Sequence, residues 1–135
     1  MTEHPDPSTA AWPTGIFAIT LFVEDLAAAK GFYGRAFGLA VVFEDANSAV
    51  FRFGDTMINL LDVAAAPELI APATIAPAAV GSRLVLTVQV DDVDALCARL
   101  QANGVTLLNG PMDRPWGPRT ASFQDPGGHI WEIAH

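Results

Sequence analysis

A glutamate near the end of the chain, Glu132, has the clearest potential for chemistry. It follows the turn Asp125–Gly128, whose Pro and Gly residues suit a tight reversal, and lies in an alternating stretch typical of a strand. Side chains two residues apart share a face of a strand, so Glu132 accompanies Ile130 and Ala134 on an otherwise apolar face. A carboxylate in that setting faces a ligand cavity, binds a metal or has a paired partner.

The elements that position Glu132 follow one plan that occurs twice. Each half has an apolar strand, an acidic pair and an amphipathic stretch of helical spacing that ends near a glycine. Asp25 and Asp92 are predicted helix N-caps, because a carboxylate there accepts from free N–H groups of the first turn. Gly38 and Gly104 are predicted left-handed C-caps.

Each half therefore reads as β-α-β-β-β, and the fold class is α+β. The predicted later strands of the two halves are Ser48–Phe53, Thr56–Asp62, Arg119–Gln124 and His129–Ala134. We predict a flexible N-terminal segment, residues 1–14, and a single domain, residues 15–135, with modules 16–63 and 83–134 joined by an arm, 64–82.

The arm has three prolines and no clear period, so it is predicted to be a loop or an extended strap. It is long for a structureless loop, which favours a role at a pocket or a subunit contact. A solvent-exposed linker is the alternative, although the apolar Leu69, Ile70, Ile75 and Val80 would be costly to leave in water.

Composition excludes several classes of function. The 135-residue chain is 51% hydrophobic with a formal net charge of −8, and its seven basic residues are scattered, so nucleic acid is not an expected partner. No apolar run approaches the roughly 20 residues of a membrane helix, and no secretory signal is visible. The single cysteine, Cys97, forms no disulfide within the chain, so a cytoplasmic location is expected.

Three motifs in this order and spacing resemble the vicinal oxygen chelate superfamily, which includes glyoxalase I, bleomycin- and fosfomycin-resistance proteins and extradiol dioxygenases. The motifs are LFVEDL at 21–26 with FY at 32–33 and FGL at 37–39, VQVDDV at 88–93, and DPGGHIWEI at 125–133. The resemblance implies two βαβββ modules whose mixed sheets curl around a shared cavity, and it implies a homodimer.

The resemblance implies that, if this chain were a metal-dependent member of that superfamily, each of four strands would supply one metal ligand. The fourth ligand is a glutamate, which Glu132 matches, but the other three positions hold Ala18, Asn59 and Val85. Ala18 and Val85 have no donor atoms and Asn59 is neutral, whereas a divalent-metal site needs about three or four donors. We therefore predict neither a metal nor another cofactor.

Without a metal, three roles remain for Glu132. It is a general base, because a carboxylate desolvated in a cavity suits proton abstraction, or it accepts a hydrogen bond from a ligand. The structural alternative is a pair with Arg119, Arg52 or Asn59. Asn59 is the counterpart of Glu132 in the other module, so the two polar groups either hold a ligand between them or bond to each other.

The loop before the seventh predicted strand carries further candidates. Trp116 on a Pro- and Gly-stiffened turn forms a wall for an aromatic ligand or covers the end of the sheet. Arg114 or Arg119 holds a ligand carboxylate or pairs with a neighbour such as Asp113 or Asp125.

We therefore predict a protein that binds an apolar or aromatic small molecule, with drug or metabolite sequestration as the function. The predicted ligand-binding residues are Asn59, Trp116, Arg119, Thr20, Thr87 and Met57. The alternative is a lyase, isomerase or dioxygenase of the superfamily, dependent on a metal or using Glu132 as the catalytic base.

Overall fold

The structure, a computed structural model, describes residues 6–135, so the first five residues of the predicted N-terminal segment lie outside it. Its elements are β1 (Ala18–Val23), α1 (Leu26–Phe37), β2 (Val41–Glu44), β3 (Ser48–Phe53), β4 (Thr56–Asp62), α2 (Pro67–Ile70), β5 (Val85–Gln89), α3 (Val93–Ala102), β6 (Leu107–Asp113), β7 (Arg119–Gln124) and β8 (Ile130–Ala134). Short 3-10 turns lie at Pro7–Thr9 and Ala78–Val80. No helix in this part of the chain has the length and apolarity to cross a membrane.

The two long helices begin where the sequence predicts. Asp25 Oδ1 accepts from the backbone N–H of Ala28 at 3.0 Å, and Asp92 Oδ1 accepts from that of Ala95 at 3.0 Å. Gly38 ends α1 in the left-handed conformation, with φ of 64°. The prediction for Gly104 was one residue off, because Asn103 caps α3 and the left-handed glycine follows it.

The strands form two four-stranded sheets of identical topology. Sheet 1 has the order β1-β4-β3-β2 and sheet 2 the order β5-β8-β7-β6, with one parallel pair in each, β1 with β4 and β5 with β8. This confirms the predicted α+β class and the β-α-β-β-β repeat. Over residues 6–135 the two sheets stay separate and are not closed into one barrel.

The arm is more regular than its composition predicts. It contains the single helical turn α2 and the 3-10 turn at Ala78–Val80, and it places Ala66 fully in the interior. A proline is at the first position of α2. Backbone N–H groups in the first turn of a helix have no partner within the helix, so the missing N–H of proline costs nothing there and the turn can form.

Each sheet buries one face against a long helix, α1 for sheet 1 and α3 for sheet 2, and the opposite face has no long helix on it. In β4, Ile58 and Leu60 are buried in the core, and in β8 Trp131 and Ile133 are buried. We call the opposite faces the open faces. They carry Ala18, Thr20, Met57, Asn59 and Leu61 in sheet 1, and Val85, Thr87, Ile130, Glu132 and Ala134 in sheet 2.

The two modules join through an aromatic core. The Trp131 ring of sheet 2 lies 4.9 Å from the Phe37 ring of α1 and 5.8 Å from the Phe53 ring of sheet 1, centroid to centroid. Edge-on and offset contacts of this kind stabilise aromatic pairs by roughly 0.5–1.5 kcal/mol beyond burial. These contacts fix one module against the other.

A buried polar group lies inside this aromatic core. The Tyr33 hydroxyl of α1 donates to Asp125 Oδ2 at 2.6 Å and accepts from the Trp131 indole N–H at 2.9 Å. Asp125 also accepts from the His129 backbone N–H at 2.8 Å, and its Oδ2 lies 2.9 Å from His129 Nδ1. The carboxylate thus ties the helix of the first module to the turn and last strand of the second.

The buried group keeps its charge on Asp125. Burial opposes ionisation of this carboxyl most strongly, but the hydrogen bonds from His129 and Tyr33 together outweigh it and hold the pKa of Asp125 below its usual value. Burial, and then the charge of Asp125, raise the pKa of Tyr33 far above its usual range. Tyr33 therefore stays a donor and Asp125 an acceptor at neutral pH.

Gly110 marks the closest approach of β6 to β7. It has φ of 86°, and a Cβ at this position would lie 2.5 Å from the Thr120 carbonyl oxygen and 2.7 Å from Ala121 Cα. The ladder between the strands shifts register on both sides of Asn109. Glycine allows the strands to meet where the bulged β6 would otherwise collide with its neighbour.

We expect Asp125→Asn to destabilise the protein at pH 7 by roughly 1–3 kcal/mol, because it removes the charge that the buried donors stabilise. A carboxyl group whose pKa is lower in the folded protein than in the unfolded chain stabilises the fold at pH values above its unfolded pKa of about 3.9. This stabilisation is lost as the pH falls through the pKa of the folded protein. The deficit of the variant should therefore shrink as the pH falls below about 4.

Urea unfolding at several pH values, followed by circular dichroism, measures this difference. Asp91→Asn, at an exposed position just before the second acidic cap, is the control for losing one acidic charge. A deficit that stays constant from pH 7 to the acid limit would contradict the role assigned to the charge.

Candidate functional site

Each open face carries a hydrogen-bonded polar pair between its parallel strands, and these two pairs occupy equivalent positions. In sheet 1, Asn59 Nδ2 donates to Thr20 Oγ1 at 3.4 Å, and these residues are register partners. In sheet 2, the Thr87 hydroxyl donates to Glu132 Oε1 at 3.0 Å, again between register partners. The repeat of the fold is thus also a repeat of a polar position within an apolar face.

Asn59 and Glu132 do not bond to each other; each uses the threonine of its own sheet. Neither Arg119 nor Arg52 bonds to Glu132, so the structural pairs considered from the sequence are not formed within residues 6–135. Asn59 Oδ1 is buried and, among those residues, has no hydrogen-bond partner. An acceptor left in this state costs roughly 1–3 kcal/mol, which a donor from a bound molecule or water would offset.

The other sequence-predicted residues are distributed over both sheets. Met57 lies beside Ala18 on the open face of sheet 1, one step along β4 from the Asn59 pair. Trp116 lies in the turn between β6 and β7 with 70% of its surface exposed. The structure therefore brings Glu132 together with Thr87, and Asn59 with Thr20 and Met57, but on separate sheets.

Arg119 lies at the beginning of β7, and its guanidinium is engaged by acidic residues. Nε and Nη2 donate to the two carboxylate oxygens of Asp94 at 2.8 and 2.9 Å, and Nη1 donates to Asp113 at 3.1 Å. The hydrogen bonds that Arg119 donates to Asp94, and then to Asp113, raise its pKa further. All three nitrogens have protein partners, so this side chain links α3 to the β6–β7 hairpin.

Arg114 occupies the open face of sheet 2 instead. Its Nε donates to Thr120 Oγ1 at 2.8 Å, and its Nη2 donates to Asn109 Oδ1 at 2.8 Å. Its guanidinium carbon lies 5.7 Å from the centre of the Trp116 ring, within the range of a cation–π contact. The acidic neighbours proposed for it from the sequence, Asp113 and Asp125, bind other groups.

The sequence did not single out Arg114 over Arg119, and the reason is local. Asn109 pairs with Ser122 and Met112 with Thr120, so the ladder is irregular between these positions. Simple alternation cannot be carried through such a bulge. The face on which Arg114 lies therefore depends on an irregularity whose only visible sign is the glycine at 110.

The donor positions implied by the family resemblance do not form a metal site. On the open face of sheet 1 Asn59 has Ala18 nearby, and on that of sheet 2 Glu132 has Val85 nearby, and these apolar side chains cannot bind a cation. Within the described range no three His, Cys, Asp or Glu side chains cluster as a metal site requires. Two histidines lie three residues from Glu132: His129 is engaged by Asp125, and His135 Nδ1 lies 2.9 Å from the Val90 carbonyl oxygen.

Two surface depressions border the arm. One of about 380 Å³ lies at the end of sheet 1, and its lining includes Asn59, Leu61, Glu68 and Leu69. Another of about 240 Å³ is lined by Phe22, residues 74–78 and 81–84, and the turn at 127–129. The arm therefore borders both depressions.

Comparison with known proteins agrees with the architecture. The model of the glyoxalase/bleomycin resistance protein/dioxygenase superfamily matches residues 15–133, which is nearly the whole described chain. The chain belongs to this superfamily. The resemblance stated from the sequence motifs is therefore confirmed.

Relatives in this superfamily cover the chain almost end to end. An uncharacterised protein of Bacillus subtilis, YraH, is 30% identical over 122 residues, which are 87% of this chain and 95% of YraH. A glyoxalase-related enzyme from Fulvimarina pelagi superposes with a TM-score of 0.79 at 30% identity, over 90% of this chain and 88% of that one. A lactoylglutathione lyase from Agrobacterium tumefaciens gives 0.72 at 26% identity, over 90% and 93%.

We expect the purified protein to carry no stoichiometric transition metal, because only one of the four family ligand positions holds an anionic donor. Elemental analysis of protein prepared without chelator measures this directly. About one equivalent of zinc, nickel, manganese or iron per chain, lost in Glu132→Ala but kept in the exposed control Glu68→Ala, would contradict the expectation.

Proposed function

We propose that this superfamily member binds an apolar or aromatic small molecule on its open faces without a metal, and that it sequesters this ligand. The observation that carries the proposal is the composition of the open faces. The open face of sheet 1 is apolar around the Asn59–Thr20 pair, and that of sheet 2 sets the Thr87–Glu132 pair beside the apolar Val85, Ile130 and Ala134. Apolar surface with a few polar groups is the usual make-up of a small-molecule site. Ala18 and Val85 supply apolar contact where a metal-dependent member would supply ligands.

Within this proposal Glu132 orients the ligand. Its Oε1 is held by Thr87, so the carboxylate is fixed in direction and presents its remaining lone pairs to a donor on the bound molecule. Trp116 supplies a flat apolar surface at the end of the same sheet, and Met57 and Thr20 line the counterpart in sheet 1. Arg119, saturated by Asp94 and Asp113, contributes through the hairpin that it braces.

A second copy of the chain completes the site in this proposal. The open faces leave large apolar side chains in water: Val85 is 52% exposed and Phe43, which shares the open face of sheet 1, is 60% exposed. Clusters of exposed apolar side chains mark interaction surfaces. A homodimer that covers these faces would enclose the ligand, and no nucleic acid partner is proposed because the basic residues are scattered. A cytoplasmic location, argued from the single cysteine, is part of the same proposal.

An enzyme is the second candidate, and Glu132 is the reason to retain it. Glu132 is a carboxylate on an apolar face with only a threonine hydroxyl as its partner among residues 6–135, which is a suitable arrangement for a general base. The 26% identical neighbour from Agrobacterium tumefaciens is a lactoylglutathione lyase. Turnover of the methylglyoxal–glutathione hemithioacetal, abolished in Glu132→Gln, would favour isomerisation over sequestration.

Calorimetric titration with indole and N-methylindole tests the binding proposal, because the two ligands differ only in a donor N–H. Glu132→Gln should weaken the binding of indole more than that of N-methylindole, by up to about 1.5–3 kcal/mol, which is the contribution of a hydrogen bond to an ionised group. Trp116→Ala should weaken both ligands alike, by roughly 0.5–1.5 kcal/mol beyond lost burial.

Trp12→Ala is the matched control, since Trp12 is 90% exposed and precedes β1. Equal losses for the two ligands in Glu132→Gln, with the circular dichroism spectrum unchanged, would show that Glu132 has a structural role. Failure of the wild-type protein to bind either ligand would count against the proposal for aromatic ligands as a whole.

Sedimentation analysis tests whether two copies of the chain form a dimer through their open faces. We expect the mass of two chains for the wild type and of one chain for Phe43→Asp, because a charge within an apolar interface is strongly unfavourable. Ala98→Asp adds the same charge at an exposed position on α3 and should remain a dimer. A single-chain mass for the wild type at all concentrations would contradict the dimer.

A further inference from the structure

The open face of sheet 2 carries a polar row that runs across all four strands. Thr87 pairs in register with Glu132, Glu132 with Ser122, and Ser122 with Asn109, so these four side chains lie side by side on one face. Ser122 is buried although its face has no helix. The row begins at Thr87, beside the Glu132 carboxylate, and ends at the Asn109 amide, whose oxygen accepts from Arg114.

Arg114 lies at the Asn109 end of this row. Its Nε bonds to Thr120, the neighbour of Ser122 on the same face, and its Nη2 bonds to Asn109 at the end of the row. Thr120 retains only 1% exposure, and the arginine itself is half-buried. With the Trp116 ring also in contact, the guanidinium is held from three sides rather than extended into solvent.

The partners of Arg114 orient its charge without neutralising it. Threonine and asparagine oxygens are neutral acceptors, and within residues 6–135 no carboxylate lies within ion-pair distance of this guanidinium. Arg119, in the same hairpin, has two acidic partners. The chain has a net charge of −8. Arg114 nevertheless has a fixed guanidinium whose charge no ion pair in the described part of the chain compensates, whereas that of Arg119 is paired with two carboxylates.

We propose that Arg114 is the anion-binding end of the ligand site, and that the preferred ligand is a planar aromatic molecule with a carboxylate at one end and a hydrogen-bond donor at the other. This inference rests on the proposed function and names its ligand class. The carboxylate bonds to the guanidinium edge that Thr120 and Asn109 leave free, and the donor reaches Glu132 on β8. Adjacent strands lie about 4.8 Å apart, so one or two aromatic rings span the interval from β8 to the region above β7 and β6.

The acidic and basic ends of the row also exclude other ligands. A ligand carboxylate placed against Glu132 would be repelled, whereas a donor placed against Arg114 would find no acceptor there. The same row therefore selects one orientation of the ligand. Trp116 lies beside the guanidinium and provides the surface on which the ring nearest the carboxylate stacks.

Calorimetric titration with indolepropionate and indolepropionamide tests this proposal, because the two probes have the same rings, donor and length and differ in charge. The wild-type protein should prefer the carboxylate. Arg114→Gln should weaken indolepropionate by roughly 10- to 150-fold, the equivalent of a hydrogen bond to a charged group, and leave the amide nearly unchanged. Gln retains an N–H for Thr120 or Asn109, so the turn should keep its conformation.

Arg99→Gln is the matched control, because it removes the same charge from an exposed position on α3. It should leave both affinities unchanged, which separates a local contact from the overall field of the protein. Arg114→Lys should recover only part of the preference, since an ammonium group cannot reproduce a bidentate contact.

Three outcomes are informative. Selective loss of indolepropionate binding in Arg114→Gln supports the anion-binding role. Equal affinity of the wild type for acid and amide, or equal losses of both in Arg114→Gln, overturns it while leaving the binding of aromatic ligands intact. Failure of indole, the amide and the acid to bind the wild type overturns the proposed function and this inference together.

Discussion

The buried hydrogen bond between Tyr33 and Asp125 is the constraint on which the rest of the molecule depends. It joins the helix of one module to the turn that begins the last strand of the other. A buried carboxylate is tolerated only when donors surround it, and here a phenol, a backbone N–H and an imidazole do so. The aromatic core that closes around this group can then be packed without leaving an unpaired charge.

This arrangement separates the two tasks of each sheet. The face toward the helices holds the aromatic core and sets the relation between modules, and the open face is left free for ligand or partner contacts. Trp131 and Glu132 illustrate the separation, because these adjacent residues point in opposite directions, one into the core and the other to the open face. Substitutions on the open face are therefore expected to leave the junction of the modules undisturbed.

Sequence patterns predicted most of the framework. Strands β3, β4 and β7 begin and end as the alternation predicts, and Asp25 and Asp92 cap the helices, because these features depend on residues close together in the chain. The helical turn in the arm was not foreseen, since prolines mark the start of a turn as often as they mark a break. The partnership of Tyr33 with Asp125 spans the two modules and leaves no local trace.

The site was less predictable than the framework for the same reason. The alternation of β4 and β8 correctly placed Asn59 and Glu132 on equivalent faces, but not their bonds to Thr20 and Thr87. Assigning Arg114 and Arg119 to different surroundings required knowledge of the bulge in β6, where alternation is interrupted. Electrostatic partners chosen from sequence proximity, such as Asp113 for Arg114, are unreliable where a strand is irregular.

The tight contact at Gly110 has a consequence for how this surface can change during evolution. Because a side chain there would collide with the backbone of β7, the hairpin has no freedom to slide to a new alignment by small steps. Random variation can exchange the side chains that protrude from this hairpin, but it cannot easily relocate them. Diversification of ligand preference in descendants of this protein is therefore expected to proceed by replacement at positions 109, 114 and 120 on an unchanged backbone.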